Sequence, residues 1–176
     1  MISVFVRPSV REGRVSVDVE VGGLQQAGPV RFTARMLDAA GQAEKIFSAT
    51  RDLRAQETQT VTLQWPWPDP RLWDVGRPEL YTLQLAAKGA DLDDEHPQVF
   101  GFREFWLDGL KFMLNGTEIR LRPVCLRDGW NPSAWVPEAV SNMLDRYAQI
   151  GFNLGEHWPN DEDERGSVFL RDVWAD

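Results

Sequence analysis

The stretch FGFREFWLDGLKFMLNGTEIRLR, Phe100–Arg122, decides how this chain is read. Within it, Asn115-Gly116 sits between two arms that alternate apolar and polar residues. That is the strongest short-range signal for a two-residue β-hairpin. Upstream, apolar residues recur at every second position. Downstream, they take the spacing of a helix set between two short strand-like runs. The stretch is therefore a junction between an all-β part and an α/β part.

The upstream strands are legible one by one. Ile2–Val10 and Arg14–Gly22 alternate around a turn at Glu12-Gly13, with Val15, Val17, Val19 and Val21 on one face; Pro8 suits an edge strand or a bulge. Val30–Gly41, Ala43–Thr50, Thr58–Trp65, Leu80–Gly89 and Pro97–Leu107 follow. The Pro-rich segment Trp65–Leu80 between two of them cannot form regular helix or central strand. Seven short strands separated by Gly, Pro and Asp turns suit an immunoglobulin-like antiparallel β-sandwich without its cysteine pair. Past the hairpin, Pro137–Gly151 places Val140, Met143, Leu144, Tyr147 and Ile150 on one helical face, with Pro137 in the first turn and Gly151 as C-cap. Phe152–Trp158 reads as a strand and Gly166–Asp176 as the start of another helix. A strand, a helix and a strand imply a parallel pair with a right-handed crossover. One such unit leaves sheet faces uncovered, so the α/β part is expected to belong to something larger that residues 1–176 do not finish. The expected division is 1–106 for the sandwich and 107–176 for the hairpin and the βαβα segment.

Composition narrows the function. At 43% hydrophobic and 26% charged residues the chain has ordinary globular content. A net charge of −8 argues against nucleic acid and anionic membrane surfaces as partners. Cys125 is the single cysteine, so no intrachain disulfide can form, and no apolar run approaches the length of a membrane span. Met1 leads straight into strand-like sequence without a leader pattern, and the compartment stays open.

Several motifs now carry a resemblance. In order, they are Pro70-Arg71-Leu72-Trp73, Pro78-Glu79-Leu80-Tyr81-Thr82, Phe100-Gly101-Phe102-Arg103, Leu114-Asn115-Gly116 and Ile119-Arg120-Leu121-Arg122. Together they resemble glycoside hydrolase family 2, which includes β-galactosidases, β-glucuronidases and β-mannosidases. Gly151-Phe152-Asn153 and His157-Trp158-Pro159-Asn160 resemble that family's second barrel strand and the loop after it. The resemblance implies an immunoglobulin-like domain closed by the Phe-Gly-Phe-Arg motif, then a hairpin capping a (β/α)8 barrel, with Ile119–Arg122 opening the barrel. It also implies a parent that hydrolyses β-glycosides with retention, using two glutamates on later barrel strands, one in an Asn-Glu pair. No Asn-Glu pair occurs in this sequence, so residues 1–176 are expected to be inactive by themselves. The chain departs from the family at Arg122-Pro123-Val124-Cys125, where Arg-Gly is usual, and at Gly155-Glu156 before His157.

Barrel active sites lie at the C-terminal ends of the strands. The resemblance therefore nominates Arg127, Asp128, Glu156, His157 and Trp158 as substrate-binding residues of the intact parent, with Trp158 or Trp130 as a stacking face. For residues 1–176 alone the plainer reading, loop polars and supporting residues, is preferred. No catalytic residue, metal ligand or cofactor is assigned. His96 and His157 lack partners at zinc-ligand spacing, and His96 in DLDDEHPQ reads as a solvated loop. Asp161–Arg165 does not fit a calcium loop. Asn115-Gly116-Thr117 matches a glycosylation sequon, but the tight turn claims the same residues. Trp65, Trp67 and Trp73 could form a sugar platform; a core or interdomain role is preferred. Trp106 and Phe112 are the candidates for a sandwich–barrel contact. The alternative function is a non-catalytic carbohydrate- or protein-binding sandwich. Val124 and Leu154 are expected to leave an unpaired strand edge open to self-association.

Overall fold

A computed structural model describes residues 1–125 and 137–156, which fall into two compact units. The first comprises Met1–Gly109 together with Met113–Thr117. The second comprises Leu110–Phe112 and the described residues from Glu118 onward.

Two antiparallel sheets build the first unit. Strands β1 (Ile2–Ser9), β2 (Arg14–Val21) and β5 (Gln59–Pro66) lie in the order β1-β2-β5. Strands β3 (Gly28–Leu37), β4 (Ala43–Leu53), β6 (Tyr81–Lys88) and β7 (Asp93–Phe100) lie in the order β4-β3-β6-β7. This is the immunoglobulin-like plan with the fourth strand beside the third, rather than in the sheet of the first two. Val15, Val17, Val19 and Val21 are all fully buried, as their alternation requires. Phe32, Ala34 and Met36 of β3 and Leu83, Leu85 and Ala87 of β6 are also fully buried in the same core. Pro8 lies on edge strand β1 in unbroken register with Ile2, whose N–H points away from β2 to Asp94, so the N–H that Pro8 lacks would lie on the same outer side and costs no ladder bond.

One expected strand divides in two. Instead of a single strand over Pro97–Leu107, β7 ends at Phe100 and β8 (Phe105–Asp108) begins a different sheet. Asp93–His96, expected as a solvated loop, forms the first half of β7, with His96 opposite Leu85. Charged residues are at home on this outer strand, where one face meets solvent. Asp94 also has a structural partner, because its carboxylate accepts the Ile2 N–H at 2.9 Å.

The Pro-rich segment is irregular, as expected, and its aromatics pack inward. Trp67 is 1% exposed, with ring centres 4.9 Å from Tyr81 and 5.0 Å from Phe102; Trp65 stacks on Phe47 at 5.1 Å.

Strands β9 (Lys111–Leu114) and β10 (Thr117–Ile119) complete a small sheet in the order β10-β9-β8. The turn between them has φ of 51° at Asn115 and 86° at Gly116, the doubly left-handed pattern for which Asn-Gly is suited.

In the second unit, β11 (Pro123–Cys125) pairs in parallel with β12 (Leu154–Glu156), and α1 (Pro137–Gln149) connects them. The strand expected to open at Ile119 therefore opens at Pro123, after Ile119 has ended β10. Helix α1 stops in a complete Schellman motif. Phe152 N–H donates to the Tyr147 carbonyl, Gly151 N–H donates to the Ala148 carbonyl, and the Tyr147 and Phe152 rings meet at 5.8 Å. Gly151 takes φ of 92°, which only glycine adopts at little cost. Met143, Leu144 and Tyr147 are half-buried, whereas Ile150, expected on the same face, is 71% exposed because it lies past the last helical turn. Val124 is half-buried and Leu154 is 42% exposed. The helix expected over Gly166–Asp176 and the acidic run Asp161–Arg165 lie outside the described residues.

Candidate functional site

The parallel pair sets the geometry at which a barrel-type site would begin. Its register places Cys125 opposite Glu156 at the carboxyl ends of β11 and β12. One side chain holds the start of both strands. The Asn153 amide accepts the Arg122 N–H at 2.8 Å and donates to the Arg120 carbonyl at 3.0 Å, while Asn153 N–H donates to the Arg122 carbonyl at 3.2 Å. Asn153 thus ties together the two chain segments just before the paired strands, next to Pro123, which has no N–H of its own to donate. Of the nominated residues, Glu156 is placed at a strand end. Arg127, Asp128, His157 and Trp158, with Trp130, lie outside the described residues. Cys125 is exposed, and among the described residues no cluster of His, Cys, Asp and Glu is arranged to hold a metal.

A second constellation, within the first unit, gathers the motifs that are far apart in sequence. Phe102 is fully buried, and its carbonyl accepts the Trp73 N–H at 3.0 Å. Gly101 is needed for this close approach, since a Cβ there would stand 3.1 to 3.3 Å from three atoms of the Trp73 side chain. The Arg103 guanidinium lies 4.7 Å from the centre of the Trp73 ring, a cation–π distance. Asn115 closes the knot: its amide donates to the Trp73 carbonyl at 2.7 Å and accepts the Glu104 N–H at 2.9 Å, and its own N–H donates to the Glu104 carbonyl at 2.9 Å. With its nitrogen so held, Asn115 acts as a turn residue and clamp. The sequon reading conflicts with this bond.

Sequence reading missed the acidic member of this knot. The Glu104 carboxylate accepts the Arg11 side chain at 2.7 Å, the Arg11 N–H at 3.0 Å and the Ser9 hydroxyl at 3.3 Å. Partial burial by itself pushes this carboxyl up. The Arg11 hydrogen bonds, the guanidinium charge and the Ser9 hydroxyl outweigh that effect and hold it below the ordinary carboxylate value. Arg11 also lies 4.7 Å over the Trp106 ring, which gives Trp106 a partner inside the first unit. A single acid beside Arg103 inside the aromatic run FREFW was the available signal. Its partners stand 93 and 95 positions away, so no local pattern names them.

With Trp65 and Trp67 buried, these two rings cannot serve as a sugar platform. The chemistry of the knot is that of a joint: neutral amide bonds, one ion pair and two arginines lying over tryptophan rings.

The sequence profile described as glycosyl hydrolases family 2 matches residues 1–103, the sandwich through its closing motif. The chain belongs to that family. It is 31% identical to a beta-galactosidase of Thermoanaerobacterium thermosulfurigenes over 167 residues, which is 84% of this chain and 22% of that protein. It is 29% identical to beta-galactosidase BoGH2A of Bacteroides ovatus over 128 residues, 70% of this chain and 15% of that one. A crystal structure of a glycosyl hydrolase family 2 member from Bacteroides cellulosilyticus has the same fold over 89% of this chain and 21% of its own, with a TM-score of 0.74 at 21% identity. The chain thus spans about a fifth of the length of the curated relatives it matches. The family reading and the mainly β, sandwich-based fold class are both borne out.

Proposed function

We propose that residues 1–106 are the immunoglobulin-like domain of a β-glycoside hydrolase and that 107–176 are its cap hairpin and the first strands of its barrel. Arg127, Asp128, Glu156, His157 and Trp158 then contribute to the sugar pocket of the intact enzyme, and residues 1–176 by themselves do not turn over glycosides. The observation that carries this is the register at the strand ends, where the residue paired with Glu156 is Cys125 and not an acid. Retaining hydrolysis needs two carboxyl groups about 5–5.5 Å apart, one as nucleophile and one as acid/base. The beta-galactosidase relatives support a β-glycoside as the substrate class of the whole enzyme. The alternative of a sugar-binding sandwich built on Trp65 and Trp67 is disfavoured by their burial.

Residues 1–176 should be assayed against nitrophenyl β-galactoside, β-glucuronide and β-mannoside beside a mock purification from the same host. Equal background in both is expected. Turnover above the mock that disappears in Glu156→Gln would overturn the inactivity and return Glu156 to a catalytic role.

A further inference from the structure

The clamp at Asn115 is also a chemically reactive point. Asn115-Gly116 is the single Asn-Gly pair in the sequence; the other asparagines precede Pro132, Met143, Leu154 and Asp161. Asparagine is among the thermally labile residues, and a following glycine leaves the approach to its side chain unhindered by a Cβ. Gly116 is exposed, and a Cβ built on it would meet nothing within 4 Å, so no packing shields that side of the turn. Two hydrogen bonds restrain the amide, at 2.7 Å to the Trp73 carbonyl and 2.9 Å from the Glu104 N–H.

We propose that Asn115-Gly116 is a self-modification site whose deamidation releases the hairpin clamp, and that the clamp guards the site while it is closed. In the step, the Gly116 backbone nitrogen attacks Asn115 Cγ, forming the N–Cγ bond of a succinimide. The Cγ–Nδ2 bond breaks, and the side-chain nitrogen leaves as ammonia with the Gly116 proton. Water then opens the ring to aspartate or isoaspartate, and no oxidant or reductant is needed. Either product removes the donor that faces the Trp73 carbonyl. Aspartate sets oxygen against oxygen at the position of the 2.7 Å bond. Isoaspartate adds a backbone carbon to a two-residue turn whose φ values are already fixed at 51° and 86°. The change is irreversible and runs one way, from clamped to unclamped.

The test is to age the full chain in mildly alkaline buffer made with 18O water, natively and in urea, and to map label by peptide mass spectrometry with isoaspartate detection. Label should enter at Asn115 and not at Asn142 or Asn153, at least about tenfold more slowly in the native chain than in urea. The aged native chain should melt lower and be cut faster by protease in the hairpin, with Asn115→Asp matching it. Because the aged chain starts folded, the comparison holds even if Asn115→Asp fails to fold. Equal native and urea rates, label spread over the other asparagines, no conversion in urea, or unchanged melting after conversion would each overturn the proposal.

Discussion

Replacing Phe102 by alanine tests whether the family motif is a packing element. Phe102 is fully buried, with ring centres 5.0 Å from Trp67, 5.8 Å from Phe100 and 6.0 Å from Tyr81. Truncating a core phenylalanine costs about 3–5 kcal/mol from lost transfer energy and the cavity left behind. Each edge-to-face pair that disappears accounts for about 0.5–1.5 kcal/mol of aromatic interaction. A domain of this size is stable by only about 5–15 kcal/mol, so Phe102→Ala removes about a fifth or more of the total. The melting temperature should fall by at least about 12 °C. Phe5, which is 65% exposed, is the internal reference, and Phe5→Ala should stay within about 0.5 kcal/mol of the parent. Urea unfolding followed by far-ultraviolet circular dichroism avoids the change that the variant makes around Trp67. A Phe102→Ala midpoint no lower than that of Phe5→Ala would refute the packing argument.

Glu104 should make stability depend on acid. Its folded carboxyl is held below the ordinary value of 4.5, so its contribution is complete above that value and is lost as pH falls through the lower folded one. The gap in melting temperature between the parent and Glu104→Gln should therefore narrow on acidification; a constant gap would assign the effect to shape. Gly151→Ala should cost about 1 kcal/mol, because alanine must adopt φ of 92° at the helix end, and the loss should show as faster amide exchange at Phe152. Asn153→Ala should speed exchange at Arg122, whose N–H donates to the Asn153 side chain, while Asn153→Asp, which keeps the acceptor, should restore much of the protection. Equal exchange in both variants would count against Asn153 as the tie between the strand starts.

What the sequence shows of this fold depends on how local the determining physics is. The valines of β2, the turn at Asn115-Gly116 and the Gly151 end of α1 each follow from a few neighbouring residues, and all were readable. The start of β7 was not, because Asp93–His96 resembles solvated loop. Those residues become strand by pairing with β6, whose sequence carries the apolar signal for both. The break after Phe100 was hidden for a related reason. Phe100 and Phe102 alternate across Gly101 as a strand would, but Gly101 to Glu104 bond to Trp73 and Asn115 instead of to a continuous strand partner. At the candidate site, family motifs gave Glu156 its strand end, whereas the Arg11–Glu104 pair needed three dimensions to be seen.

Because Met113–Thr117 belongs to the first unit, the sandwich ends in space at a later residue than its last main strand does in sequence. Anyone cutting or grafting this domain has to carry the hairpin tip with it. A product ending at Gly109 would forfeit the Asn115 bonds to Trp73 and Glu104 and uncover what Leu114, 8% exposed, packs against. The portable module is thus a discontinuous set of residues. An exchange between family members should keep the Trp73, Gly101, Glu104 and Asn115 positions from one parent, or the joint will be assembled from halves that were never fitted to each other.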